Sequence, residues 1–273
     1  MGKFNDKRVL ITGGASGIGR IMGAMALERG ASALVIWDIN QANIDSTTAE
    51  LGREGTVVGY CVDISDEQQV ISTAEQVKRE VGPIDILINC AGVITGNKTF
   101  DQVTSGEIYR TMNINTIAPM LVALQFLPDM IARNSGHICN ISSAGGLIAN
   151  PRMSVYAASK WAVIGWSDSI RIELEQLKSR VRVTTIAPYY IKTGMFDGVK
   201  SPIVPLMKPE YAARQIIRAI EKNVNLKVVT KLIPFPYHFV RFMQGILPSK
   251  VFDWVFGQVF GIYHSRDNFT GRK

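Results

Sequence analysis

At 273 residues, 47% of them hydrophobic, the chain is long enough to bury one sizeable core. Thirty Lys/Arg against 23 Asp/Glu give a formal net charge of +7, but no nucleic-acid reading motif accompanies that charge, and a nucleic-acid partner is excluded. Three cysteines, Cys61, Cys90 and Cys139, lack metal-ligand spacing; no metal centre is expected, and the thiols read as reduced core residues of a cytoplasmic protein.

The N-terminal run Met1 to Lys7 is short and polar, without a signal-peptide apolar region, and no uninterrupted apolar stretch of 18 or more residues marks a membrane-spanning helix. A first strand, Val9 to Thr12, leads into the glycine turn Gly13-Gly14-Ala15-Ser16-Gly17-Ile18-Gly19 and then an apolar, Ala-rich helix, Arg20 to Arg29. A glycine turn at a helix start suits a pyrophosphate, because missing side chains let the backbone approach and the free N–H groups and helix dipole attract negative charge. The spacing is G-x-x-x-G-x-G, which departs from the common dinucleotide fingerprint G-x-G-x-x-G. Further apolar, β-branched runs follow at Ala33 to Trp37, Val57 to Cys61, Ile84 to Asn89, His137 to Ile141 and Val181 to Ile186. Their character fits strands buried on both faces of a parallel sheet, with helices between, and such a sheet binds ligands outside its carboxyl edge. No repeat, low-complexity tract or long linker divides the chain, so residues 1–273 are expected to form one α/β domain with a C-terminal extension from about 234.

Asp38 closes the second strand in Val35-Ile36-Trp37-Asp38-Ile39-Asn40. There a carboxylate accepts from an adenosine ribose and repels a 2′-phosphate, and neither Ala15 nor Ser16 is basic, so NAD is expected over NADP. Arg20, just past the glycines, is the one residue that argues the other way. Asp63 could simply cap the helix beginning near Ser65 or Asp66.

Tyr156 is followed four residues later by Lys160 and preceded by thirteen by Ser143. A phenol titrates near pKa ~10, so a tyrosine base working at neutral pH needs a cation beside it. Positions i and i+4 share a helix face, which brings the Lys160 ammonium to the phenol.

Thr12-Gly13-x-x-x-Gly17-x-Gly19, Asn89-Cys90-Ala91-Gly92, Asn115, Ser143 and Tyr156-x-x-x-Lys160 occur in the order and at the spacings of the short-chain dehydrogenase/reductase superfamily, which the chain resembles from about Lys7 to Thr193. The resemblance implies a single Rossmann-type doubly wound parallel sheet with helices on both faces. It implies hydride transfer between a nicotinamide cofactor and an alcohol or carbonyl, with Tyr156 as acid/base, Lys160 lowering its pKa and holding the nicotinamide ribose, and Ser143 donating to the substrate oxygen. Ser142 is the neighbouring rival for that last role. Asn115 matches the helix asparagine that holds a water against the lysine, with Asn113 as its rival. The cofactor set implied is Gly13, Ser16, Gly17, Ile18, Gly19, Asp38, Ile39, Asn40, Asp63, Ile64, Asn89, Ala91, Tyr156, Lys160, Pro188, Ile191 and Thr193. In the segment Pro188 to Gly194, Tyr189 stands where the family usually has glycine; with Ser143 and Tyr156 it forms the expected substrate contacts. Homodimers or homotetramers through the helices carrying Asn115 and Tyr156 are implied as well.

Seven of the eleven Phe fall between Phe235 and Phe269, and residues 226–273 hold seven Lys/Arg against two Asp/Glu. Phe252, Val255, Phe256, Val259, Phe260 and Tyr263 recur at amphipathic helix spacing. This tail reads as packing or a lid over an apolar substrate, a dimer contact, or a helix resting on a membrane surface. Pro188 to Val199 and Leu247-Pro248 resemble the branch containing retinol dehydrogenases and lipid-droplet 17β-hydroxysteroid dehydrogenases, which implies a retinoid, steroid or long-chain lipid alcohol. The alternatives are an NAD(H)-binding sensor and a peripheral membrane scaffold, both without turnover.

Overall fold

The computed structural model describes residues 3–195, 198–199, 205–230 and 237–259. Seven strands, β1 (Arg8–Thr12), β2 (Ala33–Asp38), β3 (Val57–Cys61), β4 (Ile86–Asn89), β5 (His137–Ile141), β6 (Arg182–Pro188) and β7 (Leu226–Val229), form one sheet in the order β3-β2-β1-β4-β5-β6-β7. Every pairing is parallel. The order reverses between β1 and β4, so the loops leaving these strands diverge and open a crevice at the carboxyl edge.

Alternation along β1 shows how the sheet serves two cores. Val9 and Ile11 enter the cluster on one face, with Met22 of α1 (Gly17–Leu27) and Ile216 and Ile217 of α7 (Pro209–Glu221). Leu10 enters the other, with Val70 and Val77 of α3 (Glu67–Glu80), Val122 and Phe126 of α5 (Ala118–Ala132), and Ile170 and Leu174 of α6 (Ser154–Gln176). Trp37 and Phe126 meet there with ring centroids 5.9 Å apart; each fully buried side chain of this size contributes about 2–3 kcal/mol.

The first helix begins at Gly17, three residues before the expected start, because the glycine turn itself supplies its N-terminus. The β4 ladder begins at Ile86, since Asp85 spends its backbone and carboxylate on Arg8 and its carbonyl on His137. β7 was not foreseen; it is four residues long and exists by pairing with β6. The helix containing Asn115 runs from α4 (Ser105–Met112) through a π-helical turn, Asn113–Ile117, into α5. By length and mean hydropathy Ser105–Ala132 reaches what a membrane crossing needs, although polar residues interrupt it, and it packs here on α3 and α6. The three cysteines are free thiols.

In the tail, α8 (Tyr237–Ile246), α9 (Ser249–Asp253) and a π-helical turn Trp254–Val259 are described. Within the apolar repeat, Phe252 is buried and Val259 is exposed. Phe260 and Tyr263 lie outside the described residues.

His137 is buried at the start of β5 with its Nε2 2.8 Å from Thr184 Oγ1, and burial pushes its pKa down to about 3. The folded chain therefore holds this imidazole neutral where the unfolded chain, with an ordinary pKa near 6.5, takes up a proton. Stability contributed by the neutral form is complete above pH 6.5 and falls below it by about 1.4 kcal/mol per pH unit. Replacing His137 with Gln should flatten the decline in urea-unfolding free energy between pH 6.5 and 4.

Candidate active site

The carboxyl edge of the sheet opens into a cleft of about 350 Å³. Of the expected residues, Gly13, Ser16, Gly17, Ile18, Gly19, Asp38, Ile39, Asp63, Ile64, Ala91, Ser143, Tyr156, Lys160, Pro188, Tyr189, Ile191 and Thr193 line it. Asn40, Asn89 and Asn115 do not.

The glycine turn is built for close backbone approach. A Cβ on Gly13, whose φ is +66°, would sit 2.9 Å from Ala91 Cα, so the turn presses directly on the end of β4. Thr12 Oγ1 accepts from the backbone N–H of Cys90 at 3.1 Å and of Ala91 at 3.3 Å, which fastens the two strands at the switch point. The start of α1 lacks the side-chain cap that three other helix starts carry. Asn40 accepts from Asn43 N, Asp66 from Gln68 N and Gln69 N, and Thr104 closes a capping box with Glu107. Ser16 makes no side-chain cap and the first turn carries no acid, so the α1 N–H groups face the cleft unclaimed by their own cap. A dinucleotide pyrophosphate fits this cradle.

Asp38 accepts from Ala15 N and Asn40 N, each at 3.2 Å, which fixes its carboxylate between the glycine turn and α2 (Gln41–Leu51). Asn40 thus serves as the cap of α2. Arg20 pairs with Glu50 outside the cleft lining. Asp66, rather than Asp63, caps α3; Asp63 accepts from Ser65 N at 2.9 Å and Ser65 Oγ at 2.6 Å and still lines the cleft. Asn89 is buried beneath the cleft, donating to Asn140 Oδ1 at 2.9 Å, while Asn140 donates to Ser167 Oγ at 2.9 Å.

At the other end of the cleft, Lys160 Nζ stands 5.8 Å from the centre of the Tyr156 ring and donates to the Ile141 carbonyl at 2.9 Å. Both side chains are buried, and loss of solvent pushes the Lys160 pKa down to about 8, opposed by Cys90. Lys160 therefore remains mostly an ammonium at pH 7. Gly145 separates Ser143 from Tyr156: a Cβ built there would be 3.6 Å from both Ser143 Oγ and Tyr156 Cε1. Ser142 Oγ donates to the Lys160 carbonyl at 2.8 Å, so its hydroxyl ties β5 to α6, whereas Ser143 Oγ accepts from Gly145 N at 3.1 Å.

Asn115 sits in the π-helical turn with its side chain engaged on both sides. Its Oδ1 accepts from Val93 N at 2.8 Å, and its Nδ2 donates to the Val93 carbonyl at 2.9 Å and to Ser159 Oγ at 3.1 Å. Ser159 in turn donates to the Tyr156 carbonyl at 2.7 Å. Asn115 therefore positions the Gly92-Val93 wall against the turn of α6 that carries Tyr156 and Lys160. Nothing in the sequence signals a site role for Ser159, or for Val93, Trp37, Val62, Arg110, Ile114 and Met195, which line the cleft. Only the three-dimensional pairing distinguishes them.

Tyr189 lies edge-on to Tyr190, ring centroids 4.7 Å apart. Its backbone is not among the positive-φ positions, so a bulky residue is accommodated without left-handed strain where glycine was expected.

Residues 7–203 match the family profile described as short chain dehydrogenase. The chain belongs to the short-chain dehydrogenase family. This dehydrogenase is 38% identical over 272 residues to "Epidermal retinol dehydrogenase 2" of Mus musculus, covering 97% of this chain and 85% of that protein. It is 34% identical over 267 residues to "Retinol dehydrogenase 10-B" of Danio rerio, covering 88% of this chain and 77% of that protein. Among solved structures, levodione reductase superposes with a TM-score of 0.76 at 25% identity, covering 84% of this chain and 97% of that one. A short-chain dehydrogenase/reductase from Burkholderia phymatum in complex with NAD gives 0.76 at 23% identity, covering 84% and 90%. The fold and the retinol dehydrogenase-like branch expected from the sequence are thereby established.

Lys160 carries a stability cost that its position explains. Below pH 8 the folded and unfolded chains both hold its proton and the desolvation cost is complete; between 8 and 10.5 only the unfolded chain keeps it, so stability rises with pH across that window. The full cost is about 3 kcal/mol. Replacing Lys160 with Met should raise the Tm at pH 7 and remove the pH 8 to 10.5 rise, read by thermal unfolding.

Proposed function

We propose that this dehydrogenase transfers a hydride between NAD(H) and an apolar alcohol or its carbonyl, with Tyr156 as acid/base. The observation that carries this reading is a desolvated ammonium held beside a buried phenol, with the Ser143 hydroxyl across Gly145 from that phenol. In the oxidative direction the Tyr156 oxygen takes the hydroxyl proton, Lys160 favours the phenolate that does so, and Ser143 holds the substrate oxygen. The bound nicotinamide supplies the hydride acceptor. Lys160 also holds the nicotinamide ribose, and Thr193, Ile191 and Pro188 border the nicotinamide end.

The NAD preference rests on Asp38, which occupies the mouth of the glycine turn, and on the turning of Arg20 to Glu50. The apolar substrate rests on Tyr189, Met195 and Ile191 in the wall nearest the catalytic end, and on the retinol dehydrogenase names of the relatives. A retinoid, steroid or long-chain lipid alcohol fits that wall. Asn115 acts by position, since its amide is already spent on Val93 and Ser159.

The same reading includes one domain over the whole chain with a C-terminal extension. Exposed Tyr109, Ile117 and Leu124 on the helix from Ser105, and Trp161 and Ile172 on α6, form an apolar stripe suited to a homodimer or homotetramer. Location in the cytoplasm, with peripheral contact to a lipid surface through the tail, completes it. Phe242, Ile246 and Trp254 are exposed, in a segment where seven Lys/Arg meet two Asp/Glu, and Gln244 anchors α8 to the Leu147 carbonyl at 2.7 Å.

NADH formation should appear with retinol, hydroxysteroids or long-chain alcohols and be weak with short secondary alcohols. Tyr156→Phe should keep NADH binding while losing turnover by about two to four orders of magnitude. Binding without turnover on the whole panel would favour the sensor reading, and equal kcat/KM with NADP would remove the NAD preference. In cosedimentation, the full chain should pellet with phosphatidylserine vesicles, and the Phe242→Ser, Trp254→Ser double variant should remain in the supernatant. Equal pelleting of the variant would discard the lipid-contact reading.

A further inference from the structure

Outside the catalytic end, one cationic side chain lines the cleft without an assigned task. Arg110 lies in the last full turn of α4, is exposed, and borders the cleft. Lys98, by contrast, is engaged with Glu107 of the same α4 helix. No ion pair or side-chain hydrogen bond of Arg110 occurs among the described residues.

Its place in the cleft follows from Ile114, one turn later on the same helix face. Ile114 and Ala91 pack against the cluster that contains Trp37, Val62 and Ile64, and all of these residues border the cleft. Trp37, Val62 and Ile64 form an apolar wall beside Asp38 and Asp63, which Ala91 and Ile114 extend toward the helix that carries Arg110. Arg110 stands at the rim of that wall. A flat aromatic base resting on it presents one face to the apolar residues and its other edge to the rim, and a planar guanidinium stacks well on such a ring.

We infer that Arg110 is a cofactor-binding residue whose guanidinium closes over the adenine ring at the Val62-Ile64 end of the cleft. The inference rests on the nucleotide reading of the cleft given above. An unpaired cation there also offsets the two carboxylates, Asp38 and Asp63, which would otherwise oppose the approach of a doubly charged pyrophosphate. The side chain loses little by turning inward, because no ion pair or side-chain hydrogen bond among the described residues has to break.

The test is titration of the purified full chain, Arg110→Ala and Arg110→Lys with NADH and with reduced nicotinamide mononucleotide, which lacks the adenosine half, read by protein fluorescence. Arg110→Ala should weaken NADH binding about threefold to tenfold and leave the mononucleotide unchanged. Arg110→Lys should recover only part of the loss, because an ammonium has no planar face. The Tm of both variants without nucleotide should equal that of the unaltered protein. Unchanged NADH affinity in Arg110→Ala, an equal loss with the mononucleotide, or a lowered Tm in both variants would overturn the assignment. A loss that vanishes at high salt would mark a phosphate contact and overturn it too. If the unaltered protein binds neither NADH nor NADPH, the nucleotide reading falls and this inference with it; if it binds NADH and Arg110→Ala binds equally well, only the inference falls.

Discussion

The site depends on keeping an ammonium in a place where water cannot reach it. Lys160 is buried on α6, and one main-chain carbonyl, that of Ile141, accepts from its Nζ. Burial of a charge is costly unless it is hydrogen-bonded and faces a group that benefits from it. The Tyr156 ring lies within cation–π distance and the lysine stays mostly protonated at neutral pH. The parallel sheet makes that placement possible: β5 ends where α6 packs, so its last carbonyl is aimed at the first turns of the helix.

Around this charge the chain uses side-chain hydrogen bonds as fasteners. Ser142 joins β5 to the Lys160 backbone, and Thr12 joins β1 to the start of the loop after β4. Asn115 holds both the N–H and the carbonyl of Val93 while reaching Ser159. The π-helical turn at Asn113–Ile117 belongs to this arrangement, since one wider turn re-aims the side chains that follow it. Each fastener is buried, where a lost partner costs about 1–3 kcal/mol. The crevice walls are thus set before any ligand arrives.

Much of this was legible in the amino-acid order and some was not, for physical reasons. Six strands could be read because strands buried on both faces are continuous apolar runs, as in Leu34-Val35-Ile36-Trp37. β7 escaped because four residues interrupted by Lys227 carry too little pattern; neighbouring β6 makes them a strand. Tyr156 and Lys160 were legible because a helix converts a spacing of four into adjacency. The Asn115–Val93 bond was not, since it joins residues 22 apart through backbone groups that every residue shares. Arg110 was illegible for a related reason: an exposed arginine in a helix has no distinguishing local signature, and only the packing of Ile114 against the cluster that holds Trp37, Val62 and Ile64 gives it a place.

The two ends of the cleft differ in how firmly they are built, and this bears on how chemistry and substrate choice are divided. Tyr156, Lys160 and Asn115 belong to helices packed on the sheet and are almost wholly buried. The wall beyond Pro188 is instead a short excursion held by the isolated bridge between Ile191 and Met207, with backbone bonds from Lys192 N to the Met207 carbonyl and from Met207 N to the Tyr190 carbonyl. Gln244 of α8 reaches the Leu147 carbonyl, four residues beyond Ser143. Groups that move a proton must be held to within a fraction of an ångström, which rigid elements provide. A wall that selects a large apolar molecule needs shape and dryness more than exact placement, and it is made from segments with few ladder bonds. On the proposed hydride-transfer reading, exchange of those segments would alter the substrate without disturbing the buried Lys160.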